Sequence, residues 1–290
     1  MARTLGIIGG SGVYDVAGLE AVKELEVDTP FGPPSDAVVR GRLEDTTLLF
    51  LPRHGRGHRI PPHSINYRAN ICALKKLGAE QLVSVSAVGS MKEDIKPGDV
   101  VVVDQYVDLT KQRHSTFFDG DIAAHVAFSD PVCENLAGAV SRAATRAGAT
   151  VIERGTYVCI EGPQFSTRAE SFAYRRWGVS VIGMTAMPEA KLAREAELPY
   201  ATIALVTDYD CWHETEQAVT VEGVLAVLRK NADLAKRILA ELASDLPDPA
   251  ESPASSALEL ALITARNRIS PEARERLGWL IGKYVHEASA

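Results

Sequence analysis

The sequence contains few cysteines, and no two of them are spaced for a zinc site or a redox dithiol. Its 290 residues include 4 cysteines, Cys72, Cys133, Cys159 and Cys211, and none stands in a C-x-x-C pair. This spacing argues against both kinds of site. We therefore expect all four to be small buried hydrophobic residues in a reducing compartment.

Long apolar runs, a leader sequence and an excess of positive charge are missing as well. No run is long enough to span a bilayer, and the first residues do not have the layout of a signal peptide, so we expect a cytoplasmic protein without a membrane partner. The formal net charge of -7 argues against nucleic acid as the main partner, because duplex binding depends on clustered Lys and Arg. Hydrophobic residues at 46% and charged residues at 24% are typical of a globular protein with a core.

Short apolar runs predict strands, and segments with helical spacing lie between several of them. The predicted strands are residues 5–8, 47–51, 82–85, 100–103, 179–182 and 201–206. The predicted helices cover residues 71–77, 132–140 and 191–197, and a long one begins at 221. This alternation favours an α/β fold with a largely parallel or mixed central sheet.

A segment rich in Pro and Ser predicts a boundary near the C-terminal end. Residues 244–256 are interpreted as a linker between a main domain, residues 1–243, and a tail, residues 257–290. Within the tail, residues 257–269 predict one helix, and Ser270-Pro271-Glu272 predicts the N-terminus of another. The tail is too short for an independent domain, so we expect it to pack on the body or on a neighbouring subunit.

A glycine-rich segment, GIIGGSG at residues 6–12, directly follows the first predicted strand. Such a turn brings backbone N–H groups close to an oxyanion, and the Ser11 hydroxyl adds a donor. The segment is not a dinucleotide fingerprint, because Asp15 stands where the third glycine would be, and no Gly-Lys-Ser/Thr follows to make a P-loop. An anion site and a plain tight turn are both compatible with it.

A basic loop, PRHGRGHR at residues 52–59, follows the second predicted strand. Arginine can bind two phosphate oxygens with its fork of N–H groups, although a solvated basic loop is the alternative. His54 and His58 have the spacing of metal ligands on a helix. The neighbouring Pro and Gly residues disfavour a helix and the arginines would repel a cation, so we expect no metal here.

Four further segments stand where α/β sheets commonly hold ligands. Residues 84–90, 183–189 and 207–212 lie at or just after predicted strands, and residues 161–170 follow an apolar run that is typical of a strand. The first of them lacks the G-x-S-x-G pattern of a serine hydrolase. Glu161 and Phe165 are either site residues or structural ones. Asp208 and Asp210 suit acid–base chemistry or recognition of a ring nitrogen and an amine, with solvated surface aspartates as the alternative.

In order and in wording, these segments resemble the trimeric purine nucleoside phosphorylase family, and within it the 5'-methylthioadenosine phosphorylase branch. The strings that carry the resemblance are GIIGGSG, PRHGRGH, EGPQFSTRAE, GMTAMPEA and TDYDCW, and the match covers about residues 5–239. It implies a single α/β domain in which helices surround a central mixed sheet, a distorted barrel. It also implies a homotrimer with active sites near the subunit boundaries.

The same resemblance implies a pentosyltransferase of purine and methionine salvage. The reaction would be the reversible phosphorolysis of 5'-methylthioadenosine to adenine and 5-methylthioribose 1-phosphate. Inorganic phosphate is then a co-substrate, and no metal or organic cofactor is needed.

Matching positions imply the roles of individual residues. Phosphate would be held by Ser11, Arg53, His54, Ser86, Ala87 (through its backbone N–H) and Thr185. The purine would lie against Phe165 and Ser166, with Asp208 and Asp210 as the catalytic pair at its edge. The sugar and its 5' group would contact Met184, His58, His125 of a neighbouring subunit, Val219, Val221 and Val224.

The sequence departs from the family pattern in small ways and leaves two alternatives. Ser11 and Ser86 stand where threonine is frequent, which keeps the hydroxyl, and the loop at residues 111–127 is shorter than in some relatives. A 6-oxopurine nucleoside phosphorylase is one alternative, although such enzymes typically have Asn at the position of Asp208. A non-catalytic nucleoside-binding protein is the other, and the intact Arg53 and His54 argue against it.

Overall fold

The computed structural model describes residues 3–10, 16–120, 122–213 and 221–285, and within residues 221–229 the only side chain described is that of Val227. The strands in these ranges are β1 Arg3–Gly9, β2 Glu20–Leu25, β3 Val38–Leu43, β4 Thr46–Pro52, β5 Gln81–Ser90, β6 Val100–Asp108, β7 Val151–Cys159, β8 Val181–Gly183 and β9 Tyr200–Tyr209. The α-helices are α1 Tyr67–Lys76, α2 Glu134–Arg146, α3 Arg168–Arg176, α4 Glu189–Glu195, α5 Val221–Ala243 and α6 Pro271–Ile281.

The strands form one mixed sheet in the order β2-β3-β4-β1-β5-β8-β7-β6-β9, and an additional pairing joins β9 back to β5. This pairing closes β5, β8, β7, β6 and β9 into a ring, and the remaining strands extend from β5 as an open sheet. Strands β1, β4, β5 and β9 run parallel, so their carboxyl ends meet at one edge. The predicted fold class, a mixed and distorted barrel-like sheet among helices, is confirmed.

Two layers of apolar side chains cover the two faces of the sheet. Successive residues of β1 alternate between them, with Ile7 in one layer and Ile8 in the other, as the pleat of a strand requires. Helices α2 and α5 bury Leu136 and Ile238 against the Ile7 side. Helices α1, α4 and α6 cover the opposite face. The sheet is therefore enclosed on both sides, and ligands reach it at the strand ends.

The tail packs on the body of the same chain, but one predicted helix in it is wrong. Residues 257–269 contain turns and a short 3-10 helix at Arg266–Arg268, because residues 261–264 pair with the segment around Ala124 and so interrupt the helical pattern of backbone hydrogen bonds. The predicted N-cap at Ser270 is confirmed, since its hydroxyl accepts from the backbone N–H of Ala273. Helix α6 buries Leu277 in the main core.

Candidate active site

A cavity of about 580 Å³ lies where the carboxyl ends of the parallel strands meet. Its lining includes eleven of the residues singled out from the sequence: Arg53, His54, His58, Ser86, Ala87, Phe165, Ser166, Met184, Thr185, Asp208 and Asp210. Gly10, from the glycine-rich segment, lines it too. Motifs spread over more than 150 residues of sequence thus converge because their strands are neighbours in the sheet.

Hydroxyl groups and a buried arginine occupy one side of the cavity. The Ser86 and Thr185 side-chain oxygens lie 3.2 Å apart, brought together by the neighbouring strands β5 and β8. Both residues are at least nine-tenths buried. Each hydroxyl can donate one hydrogen bond and accept others, so the two together can bind an oxyanion that also carries a proton.

Arg53 is almost completely buried, and most of its N–H groups are already engaged. Its Nε donates to Glu189 Oε2 over 2.9 Å, and Nη2 donates to Ser84 Oγ over 2.7 Å. Glu189, at the start of α4, is fully buried. Burial opposes the charge of Arg53, but the Glu189 carboxylate outweighs it and raises the pKa of Arg53 further above its ordinary value. The charge of Arg53 is therefore balanced by a side chain that does not line the cavity.

His54 presents a neutral imidazole to the same side. Its Nδ1 lies 2.8 Å from the carbonyl oxygen of Ile60, which can only accept, so Nδ1 carries the proton. Burial and the positive charge of Arg53 lower the pKa of His54 to about 4. Nε2 is consequently an acceptor near neutral pH. The ring stacks on His58 with 4.0 Å between the centroids.

Two aspartates lie on the other side of the cavity, each fixed by a hydroxyl group. Thr207 Oγ1 is 2.6 Å from Asp208 Oδ2, and Ser171 Oγ of α3 donates to Asp210 Oδ2 over 2.5 Å. Thr207 is the extra residue of a β-bulge, since Val206 pairs with Val88 whereas Asp208 pairs with Gly89. Bulges next to active sites commonly redirect a side chain, and this one directs Asp208 into the cavity.

Ser166 and Phe165 border the aspartates from the loop before α3. The Ser166 Oγ is buried and has no hydrogen-bond partner among the described residues. Buried polar atoms are seldom left unsatisfied, so this hydroxyl is available to a ligand. Phe165 is 84% exposed, and its ring is free to stack on a planar group.

Gly89 is the residue on which the position of Asp208 depends most directly. A Cβ atom at this glycine would lie 3.1 Å from Asp208 Oδ1 and 3.1 Å from Ile182 Cγ2. We expect Gly89→Ala to displace the carboxylate by a few tenths of an ångström and to lower kcat about tenfold, because misplaced reacting groups slow catalysis steeply. Steady-state kinetics on Gly89→Ala, with Gly138→Ala on the surface of α2 as the control, will measure this; equal kcat in the two variants would contradict it.

The sequence analysis missed the apolar wall of the cavity. Val85, Val88, Ile160, Ile182 and Leu205 line it between the aspartates and the hydroxyls, all of them from strands β5 and β9 or from the ends of β7 and β8. Asn231 of α5 lines it as well and donates to the Val206 carbonyl over 3.1 Å. The small residues at the strand ends indicated a site. An apolar run in the sequence, however, does not distinguish valines that face a cavity from valines that face the core.

Four predicted site residues fall outside what the structure describes, and a fifth does not line the cavity. Ser11, Val219 and the side chains of Val221 and Val224 lie outside the described part of the chain. His125 is exposed and does not line the cavity of its own chain.

Two other interpretations from the sequence also needed revision. Glu161 does not line the cavity and pairs with Arg113 instead, which favours its structural interpretation. The expectation that all the cysteines are buried is wrong for Cys211, whose exposed thiol lies beside Asp210.

The described residues contain neither a metal-binding cluster nor a membrane-spanning helix. No group of three or more His, Cys, Asp and Glu residues in the described ranges is placed to hold a metal ion. Among the helices that the structure describes, none has the length and apolar character needed to cross a bilayer.

The family model of the phosphorylase superfamily matches residues 4–244. The chain belongs to the phosphorylase superfamily. This member is 52% identical over 286 residues to the S-methyl-5'-thioadenosine phosphorylase of Geobacter sulfurreducens, covering 98% of this chain and 100% of that one. It is also 52% identical over 290 residues to the enzyme of the same name from Koribacter versatilis, covering 100% and 99%.

Solved structures of similar proteins extend the comparison to the fold. A methylthioadenosine phosphorylase from an antarctic soil metagenomic library has a TM-score of 0.92 at 49% identity, covering 96% of this superfamily member and 99% of the other chain. Methylthioadenosine phosphorylase from Schistosoma mansoni in complex with adenine has a TM-score of 0.84 at 37% identity, covering 91% and 100%. The family resemblance predicted from the motifs is confirmed.

Proposed function

We propose that this chain catalyses the reversible phosphorolysis of 5'-methylthioadenosine to adenine and 5-methylthioribose 1-phosphate. The proposal rests on the two sides of one cavity. Two carboxylates, each held by a hydroxyl group, lie on one side. Two hydroxyl groups, a neutral imidazole and an arginine whose charge is balanced by a buried glutamate lie on the other. Its volume of about 580 Å³ falls in the range of small-molecule sites, about 300–1,000 Å³. The names of the full-length relatives support the same substrate.

Asp208 and Asp210 are suited to the edge of a 6-amino purine. A carboxylate accepts a hydrogen bond from the amino group, and a carboxyl group gives a proton to N7. The unsatisfied hydroxyl of Ser166 supplies one more polar partner at this side. A 6-oxopurine would set its O6 against an ionised carboxylate, which has no donor to offer, so that two acceptors would face each other. The paired acids therefore favour adenine as the base.

Phosphate is proposed to bind against Arg53, His54, Ser86, Thr185 and the backbone N–H of Ala87, and Ser11 of the glycine-rich segment would add a donor. Glu189 already balances the arginine, and the Nε2 of the neutral His54 accepts rather than donates. Monohydrogen phosphate matches this arrangement, because its P–O–H group donates to Nε2 while its other oxygens accept from the hydroxyls and the guanidinium.

The chemistry follows from where charge develops. The bond between N9 of adenine and C1' breaks, positive charge builds on the sugar as in glycoside cleavage, and a phosphate oxygen forms the new bond to C1'. The electron pair leaves with the base, and a proton transferred through Asp208 to N7 lets adenine depart as a neutral molecule. Holding phosphate against C1' supplies the orientation that the step needs. The proposed reaction uses no metal or organic cofactor.

The remaining features of the proposal concern the sugar and the assembly. Met184 and His58 line the cavity where the sugar would lie, and Val219, Val221 and Val224 are proposed to face the methylthio group. We further propose a cytoplasmic homotrimer in which His125 of a neighbouring subunit reaches the sugar. The exposure of His125 in the isolated chain is compatible with that role.

Release of free base measures the proposed function directly. The enzyme is incubated with 5'-methylthioadenosine, adenosine or inosine, each with and without phosphate, and the products are separated by chromatography. We expect adenine from methylthioadenosine only when phosphate is present, formation of a sugar 1-phosphate, and the same rate after treatment with a chelator. Equal rates without phosphate, a preference for inosine, or inactivation by the chelator would each contradict the proposal.

A further inference from the structure

Arg113 is a buried arginine close to the cavity that does not line it. It lies in the connection between β6 and α2, and its side chain is 1% exposed. Six acceptors lie within hydrogen-bonding distance of its guanidinium. A guanidinium has only five N–H groups, so every one of them has a partner. A buried charge is stable only when it is paired and hydrogen-bonded. The partners of Arg113 therefore identify the segments that it connects.

Some of the acceptors belong to the loop on the base side of the cavity. Arg113 Nη2 donates to the Glu161 carbonyl over 2.6 Å and to the Ile160 carbonyl over 3.3 Å, and Nε donates to the Glu161 carboxylate over 3.0 Å. The same carboxylate accepts the backbone N–H groups of Lys111 and Gln112. This loop carries Ile160, and a few residues later Phe165 and Ser166, into the cavity lining.

Other acceptors belong to the loop on the sugar and phosphate side. Arg113 Nη1 donates to the Met184 carbonyl over 2.7 Å and to the Met187 carbonyl over 2.6 Å. It also donates to the Tyr67 hydroxyl over 2.9 Å. Met184 and Thr185 of this loop line the cavity. One side chain thus connects the loop beside the purine to the loop beside the phosphate.

The Glu161 carboxylate balances the charge of Arg113. Burial works against ionisation of Glu161, but the backbone N–H of Lys111 and the Arg113 side chain outweigh burial and hold the pKa of Glu161 below its ordinary value. The pair is therefore ionised near neutral pH. Lysine has a point charge and three N–H groups, so it cannot replace the planar fork that bonds both loops.

We infer that Arg113 is a positioning residue for the phosphorolysis, fixing the base-side loop relative to the phosphate-side loop. The inference rests on the proposed function for its kinetic consequence. Substrate binding tolerates a shift of a few tenths of an ångström between the loops. Attack on C1', in contrast, requires the phosphate oxygen and C1' to be close together and aligned. The effect of losing Arg113 should accordingly appear in kcat more than in either KM.

The experiment compares Arg113→Lys with Arg274→Lys. Arg274 is matched because it also donates to backbone carbonyls, those of Ile269 and Arg266, which belong to a segment that does not line the cavity. With methylthioadenosine and phosphate, we expect kcat per folded molecule to fall about tenfold in Arg113→Lys, with each KM within about twofold of the wild-type value. Arg274→Lys should keep the wild-type kcat. A purely structural role would lower the folded fraction and leave kcat per folded molecule unchanged.

Glu161→Gln is the second variant, because a partly exposed side chain is easier to replace without loss of folding. It removes the countercharge of Arg113, and we expect a threefold to fivefold fall in kcat per folded molecule. If Arg113→Lys does not fold, Glu161→Gln decides. A kcat within about twofold of the wild-type value in the variants that fold, or an equal loss in Arg274→Lys, overturns the inference.

Hydrogen exchange gives a readout that does not depend on turnover. Peptides covering residues 160–167 and 183–188 should exchange faster in Arg113→Lys, and in Glu161→Gln, than in the wild type or in Arg274→Lys. If the wild type releases no adenine, the proposed function fails while this comparison still decides the positioning role. Unchanged exchange in both loops overturns it.

Discussion

Asp208→Asn is expected to lower kcat/KM for methylthioadenosine by about 10²–10⁴-fold, the usual loss for a general acid. Asp208 is held by the Thr207 hydroxyl, 2.6 Å from its Oδ2, and an amide has the same shape as a carboxylate, so the amide should occupy the same place. It cannot transfer a proton to N7, and adenine then has to leave with unneutralised charge. The loss should therefore fall on the chemical step.

The same substitution should improve the relative use of inosine. The introduced amide donates an N–H toward the 6-oxo group, which the carboxylate cannot do, and buried mispaired polar groups discriminate between substrates by large factors. We expect the ratio of inosine to methylthioadenosine rates to rise even though both rates are low. A rise in that ratio separates loss of base recognition from general inactivation.

Paired kinetics with the 6-amino and 6-oxo substrates check both expectations. Asp233→Asn is the matched control, since this aspartate has a side chain that is 68% exposed on α5 and that pairs with Lys236. It should leave the kinetics unchanged. Unaltered rates in Asp208→Asn would show that the carboxylate takes no part in the reaction.

Glu189→Gln is expected to lower the free energy of unfolding by about 3–5 kcal/mol, the cost of removing one partner from a buried ion pair. Glu189 is fully buried and accepts from Arg53 with both carboxylate oxygens, and Oε1 also accepts from the Tyr200 hydroxyl over 3.0 Å. The glutamine would place an amide N–H against an arginine N–H and leave the charge of Arg53 unbalanced. Phosphate binding by Glu189→Gln should change as well, because the Arg53 guanidinium that Glu189 balances lines the cavity.

Chemical denaturation of Glu189→Gln and of Glu241→Gln measures the difference. Glu241 pairs with Arg146 over 3.0 Å, but the two side chains are 42% and 40% exposed. An exposed pair of this kind contributes about 0–1 kcal/mol. A loss in Glu189→Gln no larger than in Glu241→Gln would mean that the buried pair is not a determinant of stability.

Buried strands could be predicted from the sequence, and exposed or interrupted ones could not. Strand β9 was found because its residues up to Val206 are apolar and buried. Strand β2 was missed since half of its six residues are charged and it is almost entirely exposed; antiparallel pairing with β3 alone defines it. Strand β7 was recognised only as an apolar run before Glu161, because Glu153 and Arg154 interrupt it at an irregularity in its pairing with β6.

Site residues could be predicted where a motif directly follows a strand. They could not be predicted where a side chain binds partners that are distant in the sequence. Asp208 and Thr185 stand in short strings directly after strands, and the parallel sheet brings those ends together. Arg113 donates mostly to backbone carbonyls, which any residue supplies, from segments 47–74 positions away in sequence. Glu189 reaches Arg53 across 136 positions. No local pattern encodes such contacts.

The pairing of β9 with β5 has a consequence for solubility. It closes one end of the sheet on itself, so among the described strands β2 is left with the open edge. An open edge offers unpaired backbone groups to a second molecule, and proteins commonly protect it with charge. Glu20, Lys23 and Glu24 lie exposed along this strand. A growing stack of molecules joined edge to edge would have to bring these charges into register, which favours dispersed protein over fibrous aggregates.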